Sequence, residues 1–182
     1  LGGGCEICLN SDAIQAYAET YIGLVECGVG IIPGWGGCGE YLSRCKDLPG
    51  QPSGPMPAVS KAFETISTAT VAKSAAEAKE LGFLRKDDGI TMNRDRLLYD
   101  AKQRALAMVD GYKAPEKPEY RLPGASGKAA LELAVDSFHK QGKATSHDVT
   151  VAGELATVLT GGDTREMAIE AIRLGAQDFV EK

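Results

Sequence analysis

The stretch LGGGCEICLNSDAIQAYAETYIGLVECGVGIIPGWGG, residues 1–37, decides how the remainder is to be read. Gly2, Gly3 and Gly4 run straight into Cys5, Glu6 and an apolar segment, and Pro33-Gly34-Trp35-Gly36-Gly37 closes the stretch. A glycine costs roughly 1 kcal/mol against alanine inside a helix. Three together at the head of a periodic segment therefore point to a backbone that comes very close to something. Residues 4–10 read as a short buried helix entered through the glycines. Residues 12–17 read as a strand, and residues 21–30 as an extended apolar segment broken by glycines. Residues 37–45 form a further predicted helix with Tyr41 and Leu42 facing inwards.

Outward from this stretch the composition changes. Pro49, Pro52, Pro55 and Pro57, with Gly50 and Gly54, predict a loop over 46–57. Helices are predicted over 58–67 and over 74–81. The second has Ser74 as N-cap, Glu77 completing a capping box and Gly82 as the stop. A short segment at Ile90-Thr91 precedes a long helix capped by Asn93 and running to about Asp110. Its predicted inner stripe is Leu97, Leu98, Ala101, Ala105, Leu106 and Val109. Pro115, Pro118 and Pro123 mark a linker over 113–123.

Ser126 opens an amphipathic helix to Gln141, whose inner face would carry Leu131, Ala134, Val135 and Phe138. His139 falls near the C-terminus of that helix, where a cation is favoured. His147-Asp148 heads a helix to about Leu159, and Thr164 caps a last one to Leu174, stopped by Gly175. The fold class is α/β: short strands and helices in front, a helical back half behind. The predicted organisation is a partial core with the site motifs over 1–45 and the loop over 46–57. A helical region over 58–112, the linker over 113–123 and a C-terminal helical region over 124–182 follow.

Bulk composition excludes several classes. The chain has 182 residues, 43% of them hydrophobic and 25% charged, as expected of a globular domain. A net charge of −5 argues against nucleic acid as a partner. No apolar run approaches the ~20 residues of a membrane span, and no signal-peptide pattern is present. The five cysteines, Cys5, Cys8, Cys27, Cys38 and Cys45, are odd in number and clustered, unlike a secreted disulfide framework. Cys5-x-x-Cys8 lacks a second pair, and His139 and His147 are distant in sequence, so the expectation is no metal and reduced thiols in a cytoplasmic protein. The chain starts at Leu1 inside the glycine motif, which predicts a piece of a longer protein.

Two carboxylates carry the candidate chemistry. The first turn of a helix offers free N–H groups and a partial positive charge to an oxyanion. Without a β-carbon, Gly3 would let a carbonyl oxygen approach one of those groups, with Glu6 one turn away on the same face. Glu26 sits among Ile22, Leu24, Val25, Val29 and Ile31, where ionisation is costly and a proton is retained more readily. Two carboxylates of unequal proton affinity can activate a water and supply a proton elsewhere. That suits addition of water to an unsaturated thioester, whose oxygen gathers charge beside the N–H donors. The structural alternative makes Glu6 a helix-terminus carboxylate, Glu26 a rim residue and the glycines turns.

The sequence GGGCE, then Asp12 six residues beyond Glu6, then Glu26, then PGxGG, resembles the crotonase superfamily of enoyl-CoA hydratases and isomerases. The segments Glu19-Thr20-Tyr21-Ile22-Gly23-Leu24-Val25-Glu26 and Gly89-Ile90-Thr91-Met92-Asn93-Arg94-Asp95-Arg96-Leu97-Leu98 are similar to the hydratase part of multifunctional β-oxidation proteins that also carry a 3-hydroxyacyl-CoA dehydrogenase. The resemblance implies the C-terminal part of a crotonase-like fold. It implies Gly3 as one N–H of an oxyanion hole, Glu6 and Glu26 as the catalytic pair and Gly34 beside the catalytic water. The implied substrate is an acyl-CoA thioester, hydrated without a metal or cofactor, in a cytoplasmic homo-oligomer. Keeping both carboxylates favours a hydratase over an isomerase.

Three features depart from that pattern. The family's second oxyanion donor falls before Leu1, so the chain by itself is expected to hydrate poorly. Val25 stands where many hydratases carry proline. From about Asp163, the segment Met167-Ala168-Ile169-Glu170-Ala171-Ile172-Arg173-Leu174 resembles instead the late part of two-component receiver domains, without their aspartate-bearing region. NAD belongs to a dehydrogenase part outside this sequence, since Gly28-x-Gly30 lacks the strand–GxGxxG–helix setting. A non-catalytic helical interaction module remains the alternative from another class.

Overall fold

The computed structural model describes residues 1–116 and 120–161, so the expected helix capped by Thr164 and the tail from about Asp163 lie outside the described residues. The chain is a mixed helix–strand structure. Helix α1 (Gly3–Leu9) leads to strand β1 (Gln15–Tyr17), followed by α2 (Gly37–Lys46), α3 (Pro55–Ser67) and α4 (Ala75–Leu81). Strand β2 (Gly89–Thr91), α5 (Leu97–Ala107), α6 (Gly124–Lys140) and α7 (Ser146–Thr160) complete it. β1 and β2 pair in parallel with Gln15, Ala16 and Tyr17 opposite Gly89, Ile90 and Thr91. Parallel partners need a long crossover, and α2, α3 and α4 supply it.

The core threads through nearly all of these elements. Cys5 and Leu9 of α1, Tyr41 and Cys45 of α2, Val59 and Ile66 of α3, and Leu155 and Leu159 of α7 share one buried cluster. Tyr41 stacks on Phe83 with ring centroids 4.6 Å apart and donates its hydroxyl to the Leu81 carbonyl at 2.6 Å. Arg44 is the buried polar hub. Its guanidinium donates to the Phe83 carbonyl (3.0 Å) and the Leu9 carbonyl (2.7 Å), and lies 3.8 Å from Asp88. Asp88 in turn accepts the N–H of Ile14 and of Arg85. One ion pair thus ties the end of α1, the approach to β1, α2 and the segment before β2. Burial lowers the Arg44 pKa, so its charge depends on these acceptors.

Several predicted boundaries move, each for a local reason. The loop over 46–57 ends at Gly54, because Pro55 occupies the first turn of α3, where its missing N–H is no loss. The strand over 12–17 shortens to Gln15–Tyr17. Residues 21–30 are not extended throughout: Ile22 makes a single antiparallel bridge to Ala72, and Glu26–Val29 form a 3₁₀ turn. Ser74 caps α4 by accepting the Glu77 N–H, but the Glu77 carboxylate reaches back to the Lys73 N–H, one residue before the expected partner. Gly82 stops that helix at φ 86°.

The largest differences concern the back half. Asn93 caps a 3₁₀ turn, Arg94–Arg96, and α5 ends at Ala107 rather than near Asp110. No residue of α5 is buried, and the predicted inner stripe is largely open, with Leu98 83% exposed. The helix expected from Ser126 starts at Gly124; Leu131 is buried, Val135 half-buried, and Ala134 and Phe138 are exposed. Helical periodicity records an apolar face without saying what covers it. Across the regions, β2 completes the sheet begun by β1, and α7 packs on α2 and α3.

Candidate active site

Gly2 sets the position of Glu6. It takes φ 56° immediately before α1, donates its N–H to the Gly23 carbonyl (3.0 Å), and accepts the N–H groups of Cys5 and Glu6. The first turn of α1 is thereby fixed with Glu6 directed inwards, 2% exposed. Gly3 and Gly4 have helical backbone, and a Cβ on either would meet nothing within 4 Å among the described residues. Of the three glycines, Gly2 therefore serves the conformation, while Gly3 and Gly4 leave open space at the helix start.

Glu6 is held by the second glycine cluster. Its Oε1 accepts the N–H of Trp35 at 2.8 Å and the N–H of Gly37 at 3.0 Å. Two backbone donors on one oxygen fix the orientation of the carboxylate. Gly34 is exposed, and a Cβ there would meet nothing within 4 Å among the described residues. Gly36, at φ 90°, turns the loop into α2.

Glu26 opens the 3₁₀ turn Glu26–Val29 and is 9% exposed. Its Oε2 is buried without a hydrogen-bond partner among the described residues. Ile22 and Leu24 are buried beside it in sequence, but Val29 (77% exposed) and Ile31 (58%) turn to solvent, so the expected apolar setting is one-sided. His147 of α7 supports the end of this turn through Nε2 to the Gly30 carbonyl at 2.9 Å.

The two carboxylates converge on the same part of the core. The Oε1 of Glu26 would lie 3.5 Å from a Cβ on Gly2, the residue that anchors the turn bearing Glu6. The Cys38 thiol registers both: burial first, then Cys27, Glu6 and Glu26 push it up to about 12. Glu6, Glu26, Gly3 and Gly34 thus belong to one end of the fold, between the start of α1 and the start of α2. A separate cleft of about 580 Å³ lies between α5 and the chain leading into β1, lined by Asp12, Gln15, Arg104, Met108 and Tyr112. Neither carboxylate borders it.

Sequence reasoning missed the amides of Trp35 and Gly37 and the side chain of Asn10. Backbone donors have no residue-type signature, although the glycines around Trp35 mark a loop able to approach a carboxylate. All five cysteines are free, Cys5 being buried and Cys8 half-buried. Among the described residues there is no group of three potential metal ligands, and no helix is long and apolar enough to cross a membrane.

No family model matches the chain. It is 46% identical over 167 residues to the Bacillus subtilis protein named "Probable 3-hydroxyacyl-CoA dehydrogenase", an alignment covering 89% of this chain and 20% of that protein. A Rickettsia felis protein named "Putative fatty acid oxidation complex trifunctional enzyme" is 59% identical over 46 residues, 25% of this chain and 6% of that protein. The chain therefore spans a fifth or less of these two relatives. Structural neighbours are enoyl-CoA hydratases of the crotonase fold. One from Mycobacterium paratuberculosis has a TM-score of 0.47 and 16% identity, covering 93% of this chain and 59% of the neighbour. One from Bacillus anthracis has a TM-score of 0.46 and 22% identity, covering 94% and 55%.

Proposed function

We propose that this chain carries the acid–base part of an enoyl-CoA hydratase site within a larger parent protein of fatty-acid β-oxidation. The observation that carries the proposal is the buried Oε2 of Glu26, without a hydrogen-bond partner among the described residues, in the same end of the core as Glu6. An isolated buried carboxylate oxygen is costly. A water shared with Glu6, followed by substrate, would satisfy it. The name of the Rickettsia felis relative supports a fatty-acid oxidation role, and that of the Bacillus subtilis relative supports a 3-hydroxyacyl-CoA dehydrogenase part, whose NAD chemistry would reside elsewhere in the parent.

The mechanism follows from how each group is held. Oε1 of Glu6 is engaged by Trp35 and Gly37, which holds the carboxylate in place and leaves Oε2 to receive a proton. As the water oxygen bonds to C3 of a trans-2-enoyl thioester, Glu6 takes one water proton. Glu26 delivers its proton to C2, and the thioester oxygen carries the developing charge. The N–H of Gly3, opening α1 where no side chain intervenes, donates to that oxygen. Gly34 leaves room for the water. The product is a 3-hydroxyacyl-CoA; transfer of the proton from Glu6 to Glu26 restores the site.

The test is hydration of crotonyl-CoA by the parent protein, followed through loss of the enone absorbance. Glu6→Gln and Glu26→Gln should each lower kcat by roughly 10²- to 10⁴-fold, the span of general acid–base catalysis. Normal hydration by the double variant would overturn the mechanism. Proton transfer between C2 and C4 without oxygen uptake from labelled water would identify an isomerase instead.

A further inference from the structure

We infer that Asn10 is a positioning residue for Glu6, acting through the loop that holds the carboxylate. The inference rests on the hydration mechanism proposed above. Asn10 ends α1, and its backbone N–H donates to the Glu6 carbonyl at 3.0 Å. Its side-chain Nδ2 donates to the same carbonyl at 2.9 Å and, across the gap between elements, to the Trp35 carbonyl at 3.3 Å. Both partners are carbonyl oxygens, so the amide nitrogen is the atom that must face them.

These bonds close a ring. Trp35 donates its own N–H to Oε1 of Glu6 and gives its own carbonyl to Asn10. Asn10 returns to the Glu6 main chain through two donors. One residue of the loop is therefore fixed on both of its backbone polar groups, and each bond leads to Glu6 or to the helix turn that carries it. Gly36 belongs to the same arrangement. At φ 90° it takes the left-handed turn that favours glycine, and a Cβ there would be in ordinary contact with the Asn10 amide, 3.4 Å from Nδ2 and 3.5 Å from Oδ1.

The consequence is geometric. With the ring intact, the Trp35 and Gly37 amides stay aimed at Oε1 of Glu6. Without the Asn10 donor, the loop loses its side-chain tie to α1 and Glu6 is held less firmly in the position from which it acts. The effect falls on kcat, with KM spared.

The experiment compares the parent protein with its Asn10→Ala and Asn10→Asp variants in crotonyl-CoA hydration. Asn10→Asp keeps the shape but removes the donor. Both should lower kcat by roughly five- to tenfold, as for one lost hydrogen bond, and keep KM within about twofold. Thermal melts and near-ultraviolet circular dichroism establish that each variant is folded. Folded variants with the wild-type kcat would overturn the inference, as would a lowered Tm with kcat and KM worsened together, since a purely structural role predicts that pattern. Failure of the hydration mechanism itself shows differently, as normal turnover by Glu6→Gln.

Discussion

The backbone amide of Gly37 donates to Oε1 of Glu6 at 3.0 Å, and a Cβ on Gly37 would fall 2.8 Å from that same oxygen. A hydrogen bond and a steric exclusion thus meet at one contact. The same Cβ would lie 2.8 Å from Cγ of Glu6 and 2.9 Å from Cδ2 of Leu24, both packed in the core. The carboxylate sits where it does because residue 37 has no side chain.

Gly37→Ala should accordingly displace Glu6 rather than merely crowd it. A destabilisation of about 1–3 kcal/mol is expected from overpacking, with loss of hydration by the parent of at least roughly tenfold as the near-attack geometry is lost. Urea melts and crotonyl-CoA kinetics measure the two effects. A variant with wild-type kcat would show that this contact does not set the position of the base.

Arg44 and Asp88 provide a stability test away from the chemistry. Arg44→Ala removes two hydrogen bonds to carbonyls and leaves Asp88 buried without its cation. Breaking a buried pair in this way typically costs about 3–5 kcal/mol. Asp88→Asn retains an acceptor for one of the Ile14 and Arg85 amides and should cost less. Chemical denaturation of the two variants gives the order, and equal losses would contradict it.

Four buried thiols contribute to the alkaline behaviour. Burial pushes Cys5 and Cys38 up to about 12, and Cys27 and Cys45 up to about 11, from an ordinary value of 9.0. Their folded-state pKa values exceed the unfolded ones, so the associated stability is intact below 9.0 and falls as pH rises towards 11–12. The loss is on the order of 1 kcal/mol per thiol for each pH unit in that window. Melts between pH 8 and 11 should show a falling Tm. At pH 8, a thiol reagent should modify these four only after denaturant is added; rapid reaction of the native protein at Cys38 would refute its burial beside the carboxylates.

The acid limb of stability has a contributor at α7. Asp148 accepts the Thr145 N–H at 2.7 Å and the Thr145 hydroxyl at 2.8 Å, while Thr145 Oγ1 accepts the Asp148 N–H at 3.2 Å. The Thr145 backbone bond first, then its hydroxyl, holds the Asp148 carboxyl below its ordinary 3.8. A depressed folded-state pKa means that this stability is present above 3.8 and is lost as pH falls through the folded value. Asp148→Ala should therefore melt lower than wild type at pH 7 and converge with it near pH 2. A gap that persists unchanged at pH 2 would assign the effect to helix packing instead.

Much of the local structure was legible because it depends on neighbouring residues. Ser74 with Gly82, Pro33 to Gly37, and the glycines before Cys5 mark helix ends through donors, turns and open backbone that the chain itself supplies. The extent of α5 and the outer position of Ala134 and Phe138 were not legible. A periodic apolar stripe is the same sequence pattern whether or not a partner covers it, and Leu98, at 83% exposure, shows which case applies here. Pro55 misled for a related reason, since proline breaks a helix interior but suits its first turn.

By itself the sequence determined the candidate chemistry: Glu6 one turn into a glycine-headed helix, Glu26 in an apolar run, and a glycine loop following both. Each is a matter of spacing along one chain. Only the tertiary structure decided how they are placed. It brought Trp35 and Gly37 onto a single oxygen of Glu6, set Asn10 behind them, and buried Oε2 of Glu26 without a hydrogen-bond partner among the described residues. Those relationships are made by backbone amides and by burial, which carry no residue code and exist only once α1, the 3₁₀ turn at Glu26 and α2 are packed together.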